Sequence, residues 1–312
     1  MAGSGSAFEE APPETAAPEA PEASQGLAAA AEGDAEEIAG RRFEEPPELP
    51  RRPLRRALLL AAPFAGLTGL LAVWEVYVEV RDLRPLTLPQ PSQVLRHVAE
   101  NPGFYAQNGW VTVQEAFLGF VLAFVAAVVV ATVMAHSELF ERASTPVIVL
   151  MQSTPVAVLV PIFLLWFGFS PWPKILTAML FAWVPFVANA LIGLRSVDVD
   201  THELLRSVNA GRWEIYWRLR IPHSLPYLFA AGRICVGLAL VGAVVGEFFN
   251  SRDGLGNAAR VAQSRLLVEQ LWGSVFVLAF IGVAFVLLLM AVEKRVLRWH
   301  ASQAGGHRGI QA

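Results

Sequence analysis

The sequence predicts an all-α integral membrane protein that crosses the bilayer with six transmembrane helices. Of its 312 residues, 54% are hydrophobic, whereas only 16% carry a charge. The apolar residues are gathered in long runs, and most of the charged residues lie between the runs. An α-helix needs about 20 apolar residues to cross the hydrocarbon core of a bilayer. The lipid bilayer is therefore the first partner that the sequence predicts.

Six such runs follow one another along the chain. They lie at about 57–80, 110–135, 146–169, 175–194, 225–249 and 271–292. The polar, proline-rich segment after the first run predicts a short amphipathic helix near 92–100. We therefore divide the chain into a tail at 1–50, a six-helix membrane domain at 51–300 and a short tail at 301–312. A basic loop at 195–224 lies between the fourth and fifth runs.

The distribution of arginine and lysine predicts the orientation in a plasma or inner membrane. With both termini in the cytoplasm, thirteen of these residues flank the inner ends of the runs and seven lie in outer segments. Cytoplasmic loops carry an excess of basic residues, so this bias favours cytoplasmic termini.

The segment 1–50 differs in composition from the rest of the chain. It holds twelve acidic residues against Arg41 and Arg42, a net charge of −10, so the remainder carries +7. Such a segment buries too little apolar surface to offset its ordering entropy, which predicts disorder. It also lacks the basic start and apolar stretch of a signal peptide. We interpret it as a solvated cytoplasmic extension, with an interaction tail as the alternative.

The sequence lacks the residues needed for disulfides, for a metal cluster and for nucleotide binding. The one cysteine, Cys235, lies in an apolar run, which predicts a small buried residue and no disulfide. The histidines lie outside the runs or at their ends, so no metal cluster is predicted. No Gly-x-x-x-x-Gly-Lys-Ser/Thr motif for nucleotide phosphates occurs. We expect no cofactor, no metal, no catalytic residue and no nucleic-acid partner.

The stretch 200–226 is polar and basic, and it predicts two short helices joined by a turn. Asp200 or Thr201 is the expected N-cap, with Glu203 in the first turn, where a carboxylate suits the helix N-terminus. The apolar side of the first helix is formed by Leu204, Leu205 and Val208.

The turn is predicted at Asn209-Ala210-Gly211. Asparagine tolerates the left-handed conformation best among non-glycine residues, so Asn209 takes the part that glycine plays elsewhere. A second helix is expected over 212–220. Pro222 and Pro226 are then expected to interrupt the helical structure before the next apolar run. An interfacial helix pair that only anchors the loop is the alternative interpretation.

The spacing of this stretch resembles the cytoplasmic loop of ABC-importer permeases. The pattern there is Glu-Ala-Ala, three residues, Gly, nine residues and Ile-x-Leu-Pro. Its places are taken here by Glu203, Leu204, Leu205, Asn209, Leu219, Ile221 and Pro222. The two leucines replace the alanines of the family, and Asn209 replaces its glycine.

Further blocks resemble the branch of this family that imports nitrate, sulfonates, taurine and pyrimidine precursors of thiamine. They are Thr112 with Gly119 and Phe120, PIFLLWFG at 161–168, GLRSVD at 193–198, GAVVGEF at 242–248 and Gly-Leu-Gly at 254–256. The resemblance covers about 55–300.

The resemblance implies the type I importer permease fold, with a cytoplasmic coupling helix between the fourth and fifth transmembrane helices. Two permease chains, taken as identical, form the translocation path. Two cytoplasmic ATPase subunits hold the loop, and an extracytoplasmic binding protein delivers the substrate. The implied ATPase-coupling residues are Glu203, Leu204, Leu205, Asn209, Ala210, Gly211, Leu219, Ile221 and Pro222, with the two leucines as apolar contacts.

Polar side chains inside the apolar runs are candidates for the translocation path, because they are costly there unless they face protein or water. The candidates are Glu247, Gln152, Ser153, Thr154 and Asn189, together with Phe163 and Trp166 as stacking or gating rings. For Glu247, a hydrogen bond to a neighbouring helix is an equal alternative. For Ser153, Thr154 and Asn189, a hydrogen bond between helices is the favoured interpretation. For Phe163 and Trp166, the favoured interpretation is a belt of aromatic side chains at the membrane interface. Glu115 is expected to reach water.

Two other classes of function compete with the importer. A secondary transporter needs internal repeats and charged coupling sites at mid-membrane, and a membrane enzyme needs clustered catalytic residues. Neither feature is found in the sequence, which favours the permease of an ATP-driven importer. A small heterocyclic vitamin precursor or a riboflavin-like compound is the expected substrate, with nitrate, taurine and aliphatic sulfonates as alternatives.

Overall fold

The computed structural model describes residues 53–297, and all of the regular structure in this range is helical. The tails predicted at 1–50 and 301–312 lie outside the described residues. The chain separates into two compact units, Met1–Gly66 and Leu67–Ala312. Of the first unit, the structure describes only the start of one helix.

The helices of the described range are numbered here in chain order. They are α1 (Pro53–Val80), α2 (Pro91–Glu100), α3 (Pro102–His136), α4 (Glu138–Ser153), α5 (Val160–Phe167), α6 (Trp172–Arg195), α7 (Val199–Ser207), α8 (Arg212–Ile215), α9 (Ile221–Asn250), α10 (Leu255–Ser264) and α11 (Val268–Val296). A 3-10 turn, Val156–Leu159, precedes α5, and a π-helical segment, Tyr216–Arg220, joins α8 to α9.

Four helical segments in the described range are long and apolar enough to cross a membrane. They are α3, α6, the continuous segment Arg212–Phe249 and α11. Helices α4 and α5 would together make a fifth, but they are bent by 91° at their junction. The first predicted run falls within α1, whose apolar side chains Leu70 and Val73 are exposed. The amphipathic helix predicted near 92–100 is α2.

The third apolar run is predicted as one helix, and the structure breaks it. Helix α4 ends at Ser153, and Thr154 is extended, with φ −85° and ψ 124°. The ring of Pro155 disfavours the helical conformation for the residue before it, and proline has no N–H for the helical ladder. The proline therefore explains why the helix breaks between Ser153 and Val156.

Pro222 and Pro226 do not interrupt the helical structure, contrary to the sequence expectation. The segment Arg212–Phe249 is one helical stretch of 38 residues that passes through both prolines. Pro222 stands in the first turn of α9, and close packing supports this part of the helix. A Cβ atom on Gly193 of α6 would lie only 3.0 Å from Ser224 of α9.

The core of the described domain is the packing of α3, α6 and α9 through small side chains. Such residues let helix backbones approach closely, which is how membrane helices associate without a hydrophobic driving force. The fully or almost fully buried small residues of these helices include Ala116, Ala123, Ala127, Ala131, Ala178, Ala182, Ala190, Ala231, Cys235, Ala239 and Ala243.

Two glycines of α9 allow it to approach α6 in this way. A Cβ atom on Gly242 would lie 2.7 Å from Ala178 Cα, and one on Gly246 would lie 2.8 Å from Lys174 Cα. Both distances are shorter than atomic contact allows, so α9 lies against the backbone of α6 at these two positions. Gly119 of α3 is likewise pressed against Ala178.

We predict that Gly242→Ala destabilises the protein, because the added methyl group forces α9 away from α6. Gly237→Ala is the matched control, since a Cβ on Gly237 meets nothing within 4 Å. The control should be neutral or slightly stabilising, by up to about 1 kcal/mol from helix propensity. Thermal unfolding of the detergent-purified variants measures the difference. Equal melting temperatures for the two variants would contradict this packing.

Candidate functional site

The turn after α7 has the geometry that the sequence predicts for Asn209. This residue is left-handed, with φ 61°. The N–H of Ala210 donates to the carbonyl oxygen of Leu205 at 3.0 Å, the six-residue hydrogen bond that closes a helix at a left-handed residue. Asn209 therefore ends α7 in the manner of a glycine.

Helix α7 begins slightly earlier than the sequence predicts. It starts at Val199, so Asp200 lies in its first turn and Glu203 in the second. Asp198 directly precedes the helix, and aspartate is a favoured N-cap residue. Among the predicted coupling residues, the exposed ones are Glu203, Leu204, Asn209 and Gly211, and the half-buried ones are Leu205, Ala210, Leu219, Ile221 and Pro222.

Tyr216 attaches this loop to the end of α3. Its side chain is 5% exposed, and its hydroxyl lies 2.6 Å from the hydroxyl of Thr132. The ring packs edge-on against His136, with ring centroids 5.4 Å apart. Nearby, Arg195 at the end of α6 makes a two-fold ion pair with Glu141 of α4. The loop thus has fixed neighbours on α3, and its preceding helix is tied to α4.

The path candidates Gln152, Ser153 and Thr154 lie together at the break between α4 and α5. All three are exposed, and the hydroxyls of Ser153 and Thr154 donate to carbonyl oxygens of their own helix. Thr154 also lines an apolar cavity of 220 Å³ between this break and α6. Phe163 and Trp166 follow on α5 with ring centroids 6.2 Å apart.

Asn189 and Glu247 are held differently from these exposed residues. The amide of Asn189 donates to the carbonyl oxygen of Pro185 in its own helix at 2.9 Å. Glu247 is completely buried. Their part in the translocation path stays a prediction.

Glu247 lies in a buried polar cluster at the α10 end of α9. Its carboxylate accepts from the Thr112 hydroxyl of α3 at 2.7 Å and from the N–H of Gly256 at 2.5 Å. Two more backbone N–H groups at the start of α10 are bound by α3. The N–H of Gly254 donates to the side-chain oxygen of Asn108, and that of Leu255 donates to the Thr112 hydroxyl, both at 2.9 Å.

Two glycines make room for this carboxylate. A Cβ atom on Gly254 would overlap the carboxyl group of Glu247, and one on Gly256 would lie 2.8 Å from its Oε2. Gly254 also has φ 103°, which side chains disfavour. The Gly-Leu-Gly block and the glutamate of the GAVVGEF block therefore form one structural unit. Thr112, singled out by its place before Gly119 and Phe120, belongs to the same unit.

Glu115 does not reach water, contrary to the sequence expectation. It is 4% exposed, and its carboxylate pairs with the Lys174 ammonium at 2.5 Å. Lys174 also donates to the Ser251 hydroxyl at 3.1 Å. A buried charge needs a partner. Lys174 of α6 supplies it for Oε1 of Glu115 on α3, whereas Oε2 of Glu115 is buried without a hydrogen-bond partner among the described residues. The pair lines a cavity of 640 Å³ whose wall includes Trp110, Phe117 and Phe169.

A second ion pair inside the helices is absent from the sequence expectations. Arg233 lies in the fifth apolar run, and its guanidinium binds the carboxylate of Glu293 on α11 at 2.5 Å. Glu293 is 7% exposed. An arginine inside an apolar run is the available signal for such a pair, because it requires a counter-charge on a neighbouring helix.

Comparison with known proteins decides which family these features belong to. Residues 119–299, more than half of the chain, match the family of binding-protein-dependent transport system inner membrane components. The chain belongs to this family. It is therefore a multi-pass membrane protein and the permease subunit of an ABC importer.

Named relatives span nearly the whole permease domain. The riboflavin transport system permease RibX of Chloroflexus aurantiacus is 31% identical over 75% of this chain and 88% of its own. The formylaminopyrimidine transport permease ThiX of Halalkalibacterium halodurans is 29% identical over 80% of this chain and 100% of its own. The taurine permease TauC of Escherichia coli is 29% identical over 80% of this chain and 93% of its own.

The fold is that of a solved importer. A chain of the MetNI methionine ABC transporter, in an inward-facing conformation, has a TM-score of 0.55 at 15% sequence identity, and the match covers 67% of this chain and 98% of that one. Since the family and this fold agree, the secondary transporter and the membrane enzyme are excluded as alternatives.

We predict that Lys174→Met destabilises the protein by about 3–5 kcal/mol, because it leaves the buried Glu115 carboxylate without its partner. The double variant Lys174→Met/Glu115→Leu removes both charges and should recover most of this loss. Arg96→Met is the control, since it breaks an exposed pair with Glu100. Thermal unfolding in detergent measures all three. A double variant no more stable than Lys174→Met would show that the charges do not act as a pair.

Proposed function

We propose that two copies of this permease form a translocation path for a small heterocyclic solute, driven by separate ATPase subunits on the cytoplasmic side. In this proposal an extracytoplasmic binding protein delivers the solute. The bilayer is crossed six times, by α1, the bent pair α4–α5, α3, α6, α9 and α11. Both termini lie in the cytoplasm, as the excess of arginine and lysine on the corresponding flanks favours.

One observation supports coupling at the loop more than any other. The turn at Asn209 is followed at once by the 38-residue helical segment Arg212–Phe249. An uninterrupted helix transmits a displacement along its axis, whereas a flexible linker would absorb it. A push on the turn therefore reaches the interior of the membrane through α8, the π-helical segment and α9. An anchor on the membrane surface would need no such connection.

The exposed surface of the loop fits a protein partner. Leu204 is 66% exposed, Val208 69%, and Trp213 70%. Large apolar side chains grouped on a polar segment mark a contact surface. We assign this surface to a groove on the ATPase, with Glu203 and the Asn209-Ala210-Gly211 turn at its centre. This surface is joined to α9 through Leu219, Ile221 and Pro222.

The break between α4 and α5 is the part of the chain that we assign to the path. Non-helical backbone at membrane depth is tolerated only where it is buried in protein or lines a cavity. Gln152, Ser153 and Thr154 stand at this break, and Phe163 with Trp166 supplies aromatic rings beside it. A second copy of the chain would enclose these exposed side chains.

The substrate class is proposed from the relatives. Those named for formylaminopyrimidine and riboflavin transport carry flat nitrogen heterocycles, which suits aromatic side chains on the path. The relative named for taurine transport has the same identity to this chain, 29% over 80% of its length, as the formylaminopyrimidine permease. A sulfonate is therefore the second candidate.

The loop assignment predicts that Asn209→Val lowers both ATPase recovery and solute uptake about tenfold or more. A β-branched residue is strained in the left-handed conformation, so the turn no longer presents α7 correctly. Asn209→Gly is the matched control and should behave like the wild type. The measurement is affinity purification of the tagged permease with quantification of the ATPase, together with uptake in cells.

Leu204→Glu tests the same surface without changing the backbone. It should release the ATPase while the permease stays inserted in the membrane. Normal uptake in both Asn209→Val and Leu204→Glu would contradict the loop assignment.

The substrate proposal predicts that the partner binding protein binds an aminopyrimidine or a flavin. Isothermal titration calorimetry with formylaminopyrimidine, riboflavin, taurine and nitrate separates the classes. Binding of taurine or nitrate without binding of either heterocycle would contradict the proposal, and binding of taurine would favour the second candidate.

A further inference from the structure

The cavity of 640 Å³ lies where the ends of α3, α6 and α9 meet. Its wall comes from three stretches of the chain, 110–118 of α3, 169–175 around the start of α6 and 251–253 after α9. Four of the apolar runs begin or end within these stretches or next to them. The cavity therefore stands at the depth where the hydrocarbon of the bilayer gives way to the polar headgroups.

The wall of this cavity combines aromatic rings with charges of both signs. Trp110, Phe117 and Phe169 are 62%, 52% and 82% exposed. Aromatic side chains gather at the level of the headgroups, where one part of the ring is apolar and another is wet. The buried pair of Glu115 and Lys174 also belongs to the wall, and its two charges offset each other.

Arg252 and Asp253 supply the exposed charges of the wall. As neighbours in the chain, they present a guanidinium and a carboxylate side by side. A ligand with a single charge would be repelled by one of the two, whereas a zwitterion can meet an opposite charge at each of its ends. A phosphate accepts from a guanidinium, and a primary ammonium donates to a carboxylate.

The exposed face of α3 continues from the cavity as a bulky apolar surface. It carries Phe117, Val121, Val125 and Val129 at intervals of four residues. Between 117 and 129, no exposed residue of α3 is a glycine or an alanine. Contacts between membrane helices favour such small residues, so this face suits lipid chains better than another helix. It is about 18 Å long, close to the hydrocarbon depth of one leaflet.

We propose that the cavity binds an aminophospholipid of the phosphatidylethanolamine type. The lipid phosphate accepts from Arg252, the ammonium donates to Asp253, and the acyl chains lie along the 117–129 face of α3. Such a site is independent of the orientation, the coupling and the substrate proposed above, because it requires only that the chain is inserted in a bilayer.

The first measurement is native mass spectrometry of the full-length permease released from nanodiscs. The nanodiscs contain equal amounts of phosphatidylethanolamine, phosphatidylcholine and phosphatidylglycerol. Phosphatidylethanolamine should be retained about fivefold more than either of the others. The choline headgroup has no N–H donor for Asp253, and the glycerol headgroup has no cation. Equal retention of the three lipids would overturn the proposal.

Arg252→Gln and Asp253→Asn each remove one charge at an exposed position, so both variants should fold like the wild type. Arg252→Gln should lower the retention of phosphatidylethanolamine about fivefold, and Asp253→Asn should abolish its preference over phosphatidylcholine. Arg265→Gln is the matched control, because Arg265 is exposed but lies outside the cavity wall. Wild-type lipid retention in the two cavity variants, or an equal loss in the control, would overturn the headgroup assignment.

The second measurement tests whether lipid or a second copy of the chain covers the face of α3. Cys235 is fully buried, so a spin label can be placed at Val125→Cys in the otherwise unchanged chain. In nanodiscs, this label should be accessible to oxygen and shielded from a water-soluble nickel complex. A label at Ser264→Cys, an exposed polar position, should show the opposite. A Val125 label shielded from both reagents, or a Val125→Cys disulfide between two copies, would assign this face to a protein contact and overturn the lipid site.

Discussion

The close contact between α9 and α6 is the constraint on which the described domain depends. Gly242 and Gly246 bring the backbones of the two helices together, and the alanines of α3 complete the packing. In a bilayer this contact cannot be replaced by hydrophobic burial, because lipid chains are as apolar as leucine. Van der Waals packing of small residues must hold the helices, and it also sets which polar groups meet. The pairing of Glu115 with Lys174 follows from that spacing.

Polar interactions then fix the two ends of this packed core. At one end, Tyr216 and the Arg195–Glu141 pair hold the loop and the helix before it. At the other end, the buried carboxylate of Glu247 receives the N-terminus of α10. Buried polar groups of this kind add specificity of position, since each one is satisfied only when its partners stand in a single arrangement.

The sequence predicts the local features of this fold better than its contacts. The second, fourth, fifth and sixth apolar runs, the short helix α2 and the left-handed Asn209 all follow from residue types within a few positions, and the structure agrees with them. The break at Pro155 and the helix that passes through Pro222 and Pro226 depend on packing around each proline. The Glu115–Lys174 and Arg233–Glu293 pairs join residues about 60 positions apart. Helices that are apolar on nearly all sides give no periodic signal of their rotation, so the faces that meet could not be read from the sequence.

The π-helical segment Tyr216–Arg220 has a consequence for the geometry of the loop. A π-turn holds one residue more than an α-turn, so it behaves as a single inserted residue within a helix. Each residue of an α-helix turns the chain by about 100°. The segment therefore sets the angular phase between Trp213 and the face of α9 that packs on α6. Interconversion of this segment between π and α would rotate the loop about the helix axis while the core stayed in place.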